Sequence, residues 1–302
     1  MGVMAAAVGD SYGRRHGHGP LCQPWQSGFQ EDCGKNYVDK TNLIRRMNER
    51  VGGKESLLCI SRLRRFGKSY AAMMLTAYYD CSCDSHDLFA DKRIAESENY
   101  EEHINQYNVI CLDVSGFISE AKRLQKSLEI VPVWMVDAIM NEIPEEIKGE
   151  TPDERLVRFV EETGRQIVFI IDEWDAMIRE AKDDHNAQEA YLNLLRGWFK
   201  NINFTPKVVA AAYMTGILPI KKDGSQSALS AFDESSILDP LEFAEYPGFT
   251  EDEVRKLCRS GKADFEEIMI NPLLENDEMK LLLPDHIIQK LIIARGKTGG
   301  EG

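Results

Sequence analysis

Ser56-Leu57-Leu58-Cys59-Ile60-Ser61 runs directly into Arg62-Leu63-Arg64-Arg65-Phe66-Gly67-Lys68-Ser69, an apolar stretch that ends in a basic, glycine-containing one. A short apolar run closed by polar residues reads as a buried strand. The pattern that opens at Ala71, Ala72 and Leu75 reads as a helix over Ser69–Asp80. Strand, loop and helix in that order form a phosphate loop: the N–H groups of the loop and of the helix start surround an anion. In that reading Lys68 reaches the β- and γ-phosphate oxygens, and the Ser69 hydroxyl ligates Mg²⁺. The full pattern asks for glycine where Arg62 stands. A lone Gly-Lys-Ser is also what an ordinary helix start with a surface lysine looks like, so a second element has to decide.

It comes at Ile167-Val168-Phe169-Ile170-Ile171, which runs into Asp172-Glu173. A strand ending in two adjacent carboxylates is costly unless a cation sits nearby. Asp172 is placed to hold Mg²⁺ and Glu173 to orient and deprotonate an attacking water. A strand that simply stops at an acidic turn is the plain alternative. Downstream, Val208–Thr215 reads as a strand closing on Thr215-Gly216, which sets a hydroxyl where a sensor of the γ-phosphate would stand.

Outward from these stretches, short apolar runs alternate with helical ones, as in a mainly parallel sheet covered by helices. Asn108–Val114 supplies another strand and Ser236–Leu238 a short fifth; helices are predicted over Lys40–Arg50, Leu124–Asn141, Pro152–Thr163 and Asn186–Asn203. In the last of these Tyr191, Leu194, Leu195, Trp198 and Ile202 recur at helical spacing, which predicts a core stripe. Tyr78, Tyr79, Phe159 and Val160 read as core too. With a strand between the phosphate loop and the Asp-Glu strand, topology predicts the spatial order 5-1-4-3-2. The expected fold class is α/β, a mainly parallel sheet of phosphate-loop NTPase type with the additional strand and a small helical C-terminal appendage.

Residues 1–22 lack a hydrophobic period and read as a flexible leader, and residues 23–248 as the main domain. From Thr250-Glu251-Asp252-Glu253 a capped helix opens an appendage over 249–302, with a further helical pattern at His286–Ala294. No apolar run is long enough to span a membrane, and the start does not read as a secretory signal; the expected location is the cytoplasm.

Thirty-six basic against fifty acidic residues give a net charge of −14, which argues against nucleic acid as a partner of this chain alone. Seven cysteines, odd in number and scattered, read as reduced thiols. Cys81, Cys83 and His86 offer three metal ligands but no fourth at zinc spacing.

The series Tyr37-Val38-Asp39-Lys40-Thr41, Arg64-Arg65-Phe66-Gly67-Lys68-Ser69, Asp172-Glu173-Trp174-Asp175, Thr215-Gly216 and Gly248-Phe249-Thr250 through Glu253-Val254 resembles the prokaryotic AAA-ATPase-like family over roughly Gln23 to Ile268. The resemblance implies ATP and Mg²⁺ as cofactors, with Arg64, Arg65, Phe66, Gly67, Lys68 and Ser69 around the nucleotide. It implies Ser69 and Asp172 on the metal, Glu173 on the water, and Thr215 as sensor. Arg at position 62 is a trait of that family, so the missing glycine ceases to count against the loop. Leu63 and Met177 stand where the family has proline. The nuclease-like domain that often follows in the family has no counterpart after Ile268, so nuclease activity is not implied. Arg62, Arg64 and Arg65 are read as phosphate contacts, and Arg196, Lys221 and Lys222 as basic residues that an arginine-finger role would draw on. The expected function is Mg²⁺-dependent ATP hydrolysis driving a conformational switch toward a protein partner or a second copy of the chain. The alternative is a non-catalytic nucleotide-binding module without an output domain.

Overall fold

The computed structural model describes residues 23–32, 38–62, 66–220, 229–236, 239, 241–246 and 248–261. The expected leader, Leu63, Arg64, Arg65, Lys221, Lys222, Leu238 and the helix expected over 286–294 lie outside them. Among the described residues five strands form one parallel sheet: β1 (Leu57–Ser61), β2 (Asn108–Asp113), β3 (Ile167–Asp172), β4 (Val209–Gly216) and β5 (Asp233–Ser235). Across the sheet they run β2-β3-β4-β1-β5, which read from the other edge is 5-1-4-3-2. The helices are α1 (Gln23–Asp32), α2 (Asn42–Asn48), α3 (Lys68–Tyr79), α4 (His86–Phe89), α5 (Tyr100–His103), α6 (Val114–Arg123), α7 (Val131–Glu142), α8 (Pro152–Thr163), α9 (Ala176–Glu180), α10 (His185–Phe199), α11 (Thr205–Val208) and α12 (Glu251–Gly261).

Both sheet faces are covered, which is why the strands are continuous apolar runs. Along β3, Ile167, Phe169 and Ile171 pack into one core with α6, α7, α8 and α10, while Val168 and Ile170 pack into the other with α2 and α3. On β4 the alternation breaks, because a register shift at Ile167/Val168 turns Ala210 and Ala211 to the same side. Phe169 is fully buried against Trp198 and Phe199, with ring centroids 5.6 and 5.5 Å away; burial of such a side chain contributes about 1.5–3 kcal/mol.

Three expectations are corrected. The fifth strand is Asp233–Ser235 rather than Ser236–Leu238. Hydropathy misses it because it is polar: Asp233 pairs with Arg50 at 2.8 Å, and Glu234 accepts from the Ser61 hydroxyl at 3.1 Å and the Ile220 N–H at 2.9 Å. The helix predicted over Leu124–Asn141 begins later: Leu124 is the cap of α6, which the sequence reading does not include, the chain turns over 125–130, and the helix there, α7, starts only at Val131. Gln125 takes φ 53°, with Gln125 N–H to the Lys122 carbonyl at 3.0 Å and Lys126 N–H to the Ala121 carbonyl at 2.9 Å. That is a Schellman terminus, with glutamine where glycine is usual, and Pro132 sits in the first turn of α7. Ile202 is 85% exposed, because α10 ends at Phe199 and the chain turns away. Tyr191, Leu195 and Trp198 are buried as expected, and Leu194 packs against the core.

Among the described residues no helix is long and apolar enough to cross a membrane.

Candidate functional site

At the carboxyl edge of the sheet, where ligands bind in open α/β folds, β1 ends at Ser61 and α3 begins at Lys68. Gly67 is the cap of α3 with φ 72°, a left-handed conformation that favours glycine. It leaves the first N–H groups of α3 without helical partners. Lys68 follows as a buried residue. Burial pushes its amine below the usual lysine value, and Asp172, Glu173 and Asp175 pull it back up. Ser69 is exposed at the helix start and Phe66 is buried, so Phe66 has its backbone, not its ring, to offer a ligand. Arg64 and Arg65 lie outside the described residues.

β3 ends in the buried Asp172. Burial raises its pKa, hydrogen bonds from Ser69 and Thr215 lower it, and the charges of Asp113 and Glu173 raise it again. The fully buried Thr215 donates its hydroxyl to Asp172 Oδ1. The Glu173 N–H reaches Asp172 Oδ1 and Thr215 Oγ1, each at 3.2 Å. Glu173 has φ 52°, a backbone conformation that costs a non-glycine residue free energy and is found at functional sites. The fold therefore brings Lys68, Ser69, Asp172, Glu173 and Thr215 together from β1–α3, β3 and β4. A serine hydroxyl bonded to a buried carboxylate is an oxygen donor set suited to a hard cation such as Mg²⁺.

Gly216 shows why the Thr-Gly pair needs its second member. A Cβ there would meet the Trp174 indole nitrogen at 2.6 Å and Asp175 Oδ1 at 2.9 Å. The main chain after β4 thus lies directly against the Asp-Glu-Trp-Asp turn, and Trp174 N–H donates to the Thr215 carbonyl at 2.9 Å.

Arg62 does not point to phosphate. Its Nη1 donates to the Ser235 carbonyl at 2.7 Å and the Ser61 carbonyl at 3.0 Å, and its Nη2 to Ser235 Oγ at 3.1 Å. It ties β5 to β1. Arg196 lies on α10, where it donates to Glu189 at 2.9 Å and to Asn193.

Four residues to which the sequence assigned no role also take part: Asp113 and Arg179, and Asp175 and Lys40 from the motifs quoted above. Asp113 ends β2 in register with Asp172, one strand spacing away. Asp175 is fully buried, accepts from Leu218 N–H at 2.9 Å and pairs with Arg179 at 3.0 Å. Arg179 also pairs with Glu173 at 2.6 Å. The spacing of Asp175 and Arg179, one helical turn apart, was the available signal. Lastly, Lys40 pairs with Glu253 at 2.6 Å and donates to the Glu245 carbonyl at 2.7 Å. Thr250 and Glu253 cap α12 reciprocally, at 2.6 and 3.3 Å. Asp39 accepts from Thr41 at 2.7 Å and from Arg93 N–H at 2.8 Å. The Asp39-Lys40-Thr41 and Thr250–Glu253 motifs therefore join the start of the domain to α12.

Cys59, Cys81, Cys83 and Cys111 are in the thiol form. Among the described residues no group of three His, Cys, Asp or Glu is arranged to hold a metal. Cys81 donates to Asn108, Cys83 bonds with Ser85, and His86 binds Asp84 at 2.6 Å.

A comparison with curated proteins gives no match. The model of the AAA-ATPase-like family, described as Predicted AAA-ATPase, matches residues 29–225. That is more than half of the 302 residues, and it takes in Gly67-Lys68-Ser69, the Asp172-Glu173 strand end and Thr215. The chain belongs to the AAA-ATPase-like family.

Proposed function

We propose that the chain binds ATP with Mg²⁺, hydrolyses it, and uses turnover to switch a surface that faces a protein partner or a second copy of the chain. The observation that carries the reading is the convergence of Lys68, Ser69, Asp172 and Glu173 at the carboxyl ends of β1 and β3. We assign the fold to the additional-strand division of phosphate-loop NTPases, with residues 23–248 as the nucleotide domain and 249–302 as a helical appendage.

In this reading the N–H groups at the start of α3, with Gly67 and the backbone of Phe66, cradle the phosphates, and Arg64 and Arg65 supply further charge. Lys68 holds the β- and γ-phosphate oxygens. Ser69 and Asp172 would hold Mg²⁺, which when bound would neutralise charge developing on the phosphates. Glu173 takes a proton from water as the water oxygen bonds to the γ-phosphorus; the bond from that phosphorus to the β-phosphate oxygen breaks, giving ADP and phosphate. Thr215, fully buried, senses the γ-phosphate through Asp172 and the Glu173 N–H rather than by contact.

The test is Mg²⁺-dependent ATP binding and phosphate release by wild type, Lys68→Ala and Glu173→Gln. The reading expects release by wild type, binding with release reduced by about 10²–10⁴-fold in Glu173→Gln, and lost binding in Lys68→Ala. Wild type that binds ATP and releases no phosphate moves the chain to the non-catalytic nucleotide-binding class. Wild type that binds no nucleotide removes the reading.

A further inference from the structure

We infer that Arg179 is a positioning residue for Glu173: its guanidinium holds one oxygen of the carboxylate and leaves the other to face water. The inference rests on the hydrolase reading above and names a further residue of that same site. Arg179 Nη2 donates to Glu173 Oε2 at 2.6 Å, and Nε donates to Asp175 Oδ2 at 3.0 Å. One edge of a single guanidinium thus grips two different carboxylates, a task suited to the planar fork of arginine and not to the point charge of lysine.

The anchor is internal. Asp175 is fully buried, and the Oδ2 that accepts from Arg179 also accepts the Leu218 N–H at 2.9 Å, from the chain just beyond β4. Arg179 itself keeps only 15% of its side chain exposed. The Glu173 backbone is held from the opposite side, by Asp172 Oδ1 and Thr215 Oγ1. Glu173 Oε1 makes no hydrogen bond among the described residues, and a quarter of the side chain is exposed, so water can reach it. A general base acts only when its free oxygen is held within a fraction of an ångström of its proton. The chain Leu218–Asp175–Arg179–Glu173 supplies that hold. It also connects the strand that carries Thr215 to the base.

A purely structural ion pair would lower stability when broken and leave the chemistry of the folded enzyme alone. The experiment therefore separates kcat from binding in the full chain. Wild type, Arg179→Lys, Arg179→Gln and the double variant Asp175→Asn/Arg179→Gln are compared for affinity toward a fluorescent ATP analogue, kcat and KM of phosphate release, and Tm. The expected result for Arg179→Gln is a kcat lower by about 10–100-fold, with nucleotide affinity and KM within about threefold of wild type, and partial recovery in Arg179→Lys. Where Arg179→Gln fails to fold because Asp175 is stranded, the double variant removes the buried charge with its partner and is judged by the same split. A folded variant without Arg179 whose kcat is within twofold of wild type, or higher, overturns the inference. So does a loss of affinity equal to the loss of kcat. Wild type that binds ATP without releasing phosphate overturns the hydrolase reading and this one with it; wild type that turns over beside an unaffected Arg179 variant overturns this one alone.

Discussion

Arg62 and Lys68 stand at the two ends of the same loop, and both are almost fully buried, at 4% and 6% exposure. Their surroundings differ. Lys68 faces the carboxylates of Asp172, Glu173 and Asp175, whereas the hydrogen bonds of Arg62 go to two main-chain carbonyls and the Ser235 hydroxyl. For both, burial lowers the pKa. Arg62 is a brace that keeps a polar edge strand on the sheet. Lys68 is a charge held ready at a helix start. Two basic residues in one motif, alike in sequence, have been given different surroundings by what the chain folds beside them: main-chain acceptors for Arg62, carboxylates for Lys68.

Removing each should break the comparison in opposite observables. Arg62→Leu removes three buried hydrogen bonds of a charged donor, two of them to Ser235, and unfolding in urea should show a loss of about 3 kcal/mol. Lys68→Met should weaken ATP affinity about a hundredfold, which is about 2.7 kcal/mol, with no loss of stability. A destabilised Lys68→Met beside a stable Arg62→Leu would reverse the two assignments. Gly216→Ala, which pushes a methyl group onto Trp174 and Asp175, should cost about 2 kcal/mol and lower phosphate release, because the turn that bears Glu173 must shift; release and urea midpoint measured together check it.

The smallest effect is in the pH dependence. The folded pKa of Lys68 lies below the unfolded value of 10.5, so the unfolded chain binds that proton more tightly. Charged Lys68 therefore costs stability at neutral pH, and the cost fades as pH rises through the folded pKa toward 10.5. Lys68→Met should be the more stable protein at pH 7, by a margin that narrows in that window; a margin that widens would mean the three carboxylates outweigh burial.

The carriers of the fold were legible where contiguous residues state the structure. Leu57–Ser61 and Ile167–Asp172 are buried strands because both sheet faces are covered, and unbroken apolar runs report that directly. Pro152–Thr163 was legible at both ends, since Thr151 caps it and Gly164 closes it at φ 66°. The turn over 124–130, drawn as helix from the sequence, was hidden because glutamine occupies the left-handed position. The edge strand Asp233–Ser235 was hidden because its polar side chains are satisfied by Arg50, Ser61 and Arg62, partners that no local period reveals.

By itself, then, the sequence determined which residue types arrive at the site: the loop ending in Lys68 and Ser69, the strand ending in Asp172 and Glu173, and the strand ending in Thr215. Local backbone preference and hydrophobic period act over a few residues and are written in order along the chain. Only the tertiary structure decided that Arg62 braces β5, that Arg179 grips Glu173 from a core anchored at Leu218, and that Lys40 meets Glu253 across 213 positions. A charged side chain goes where its hydrogen bonds can be satisfied once water is excluded, and that place exists only after distant strands have come together.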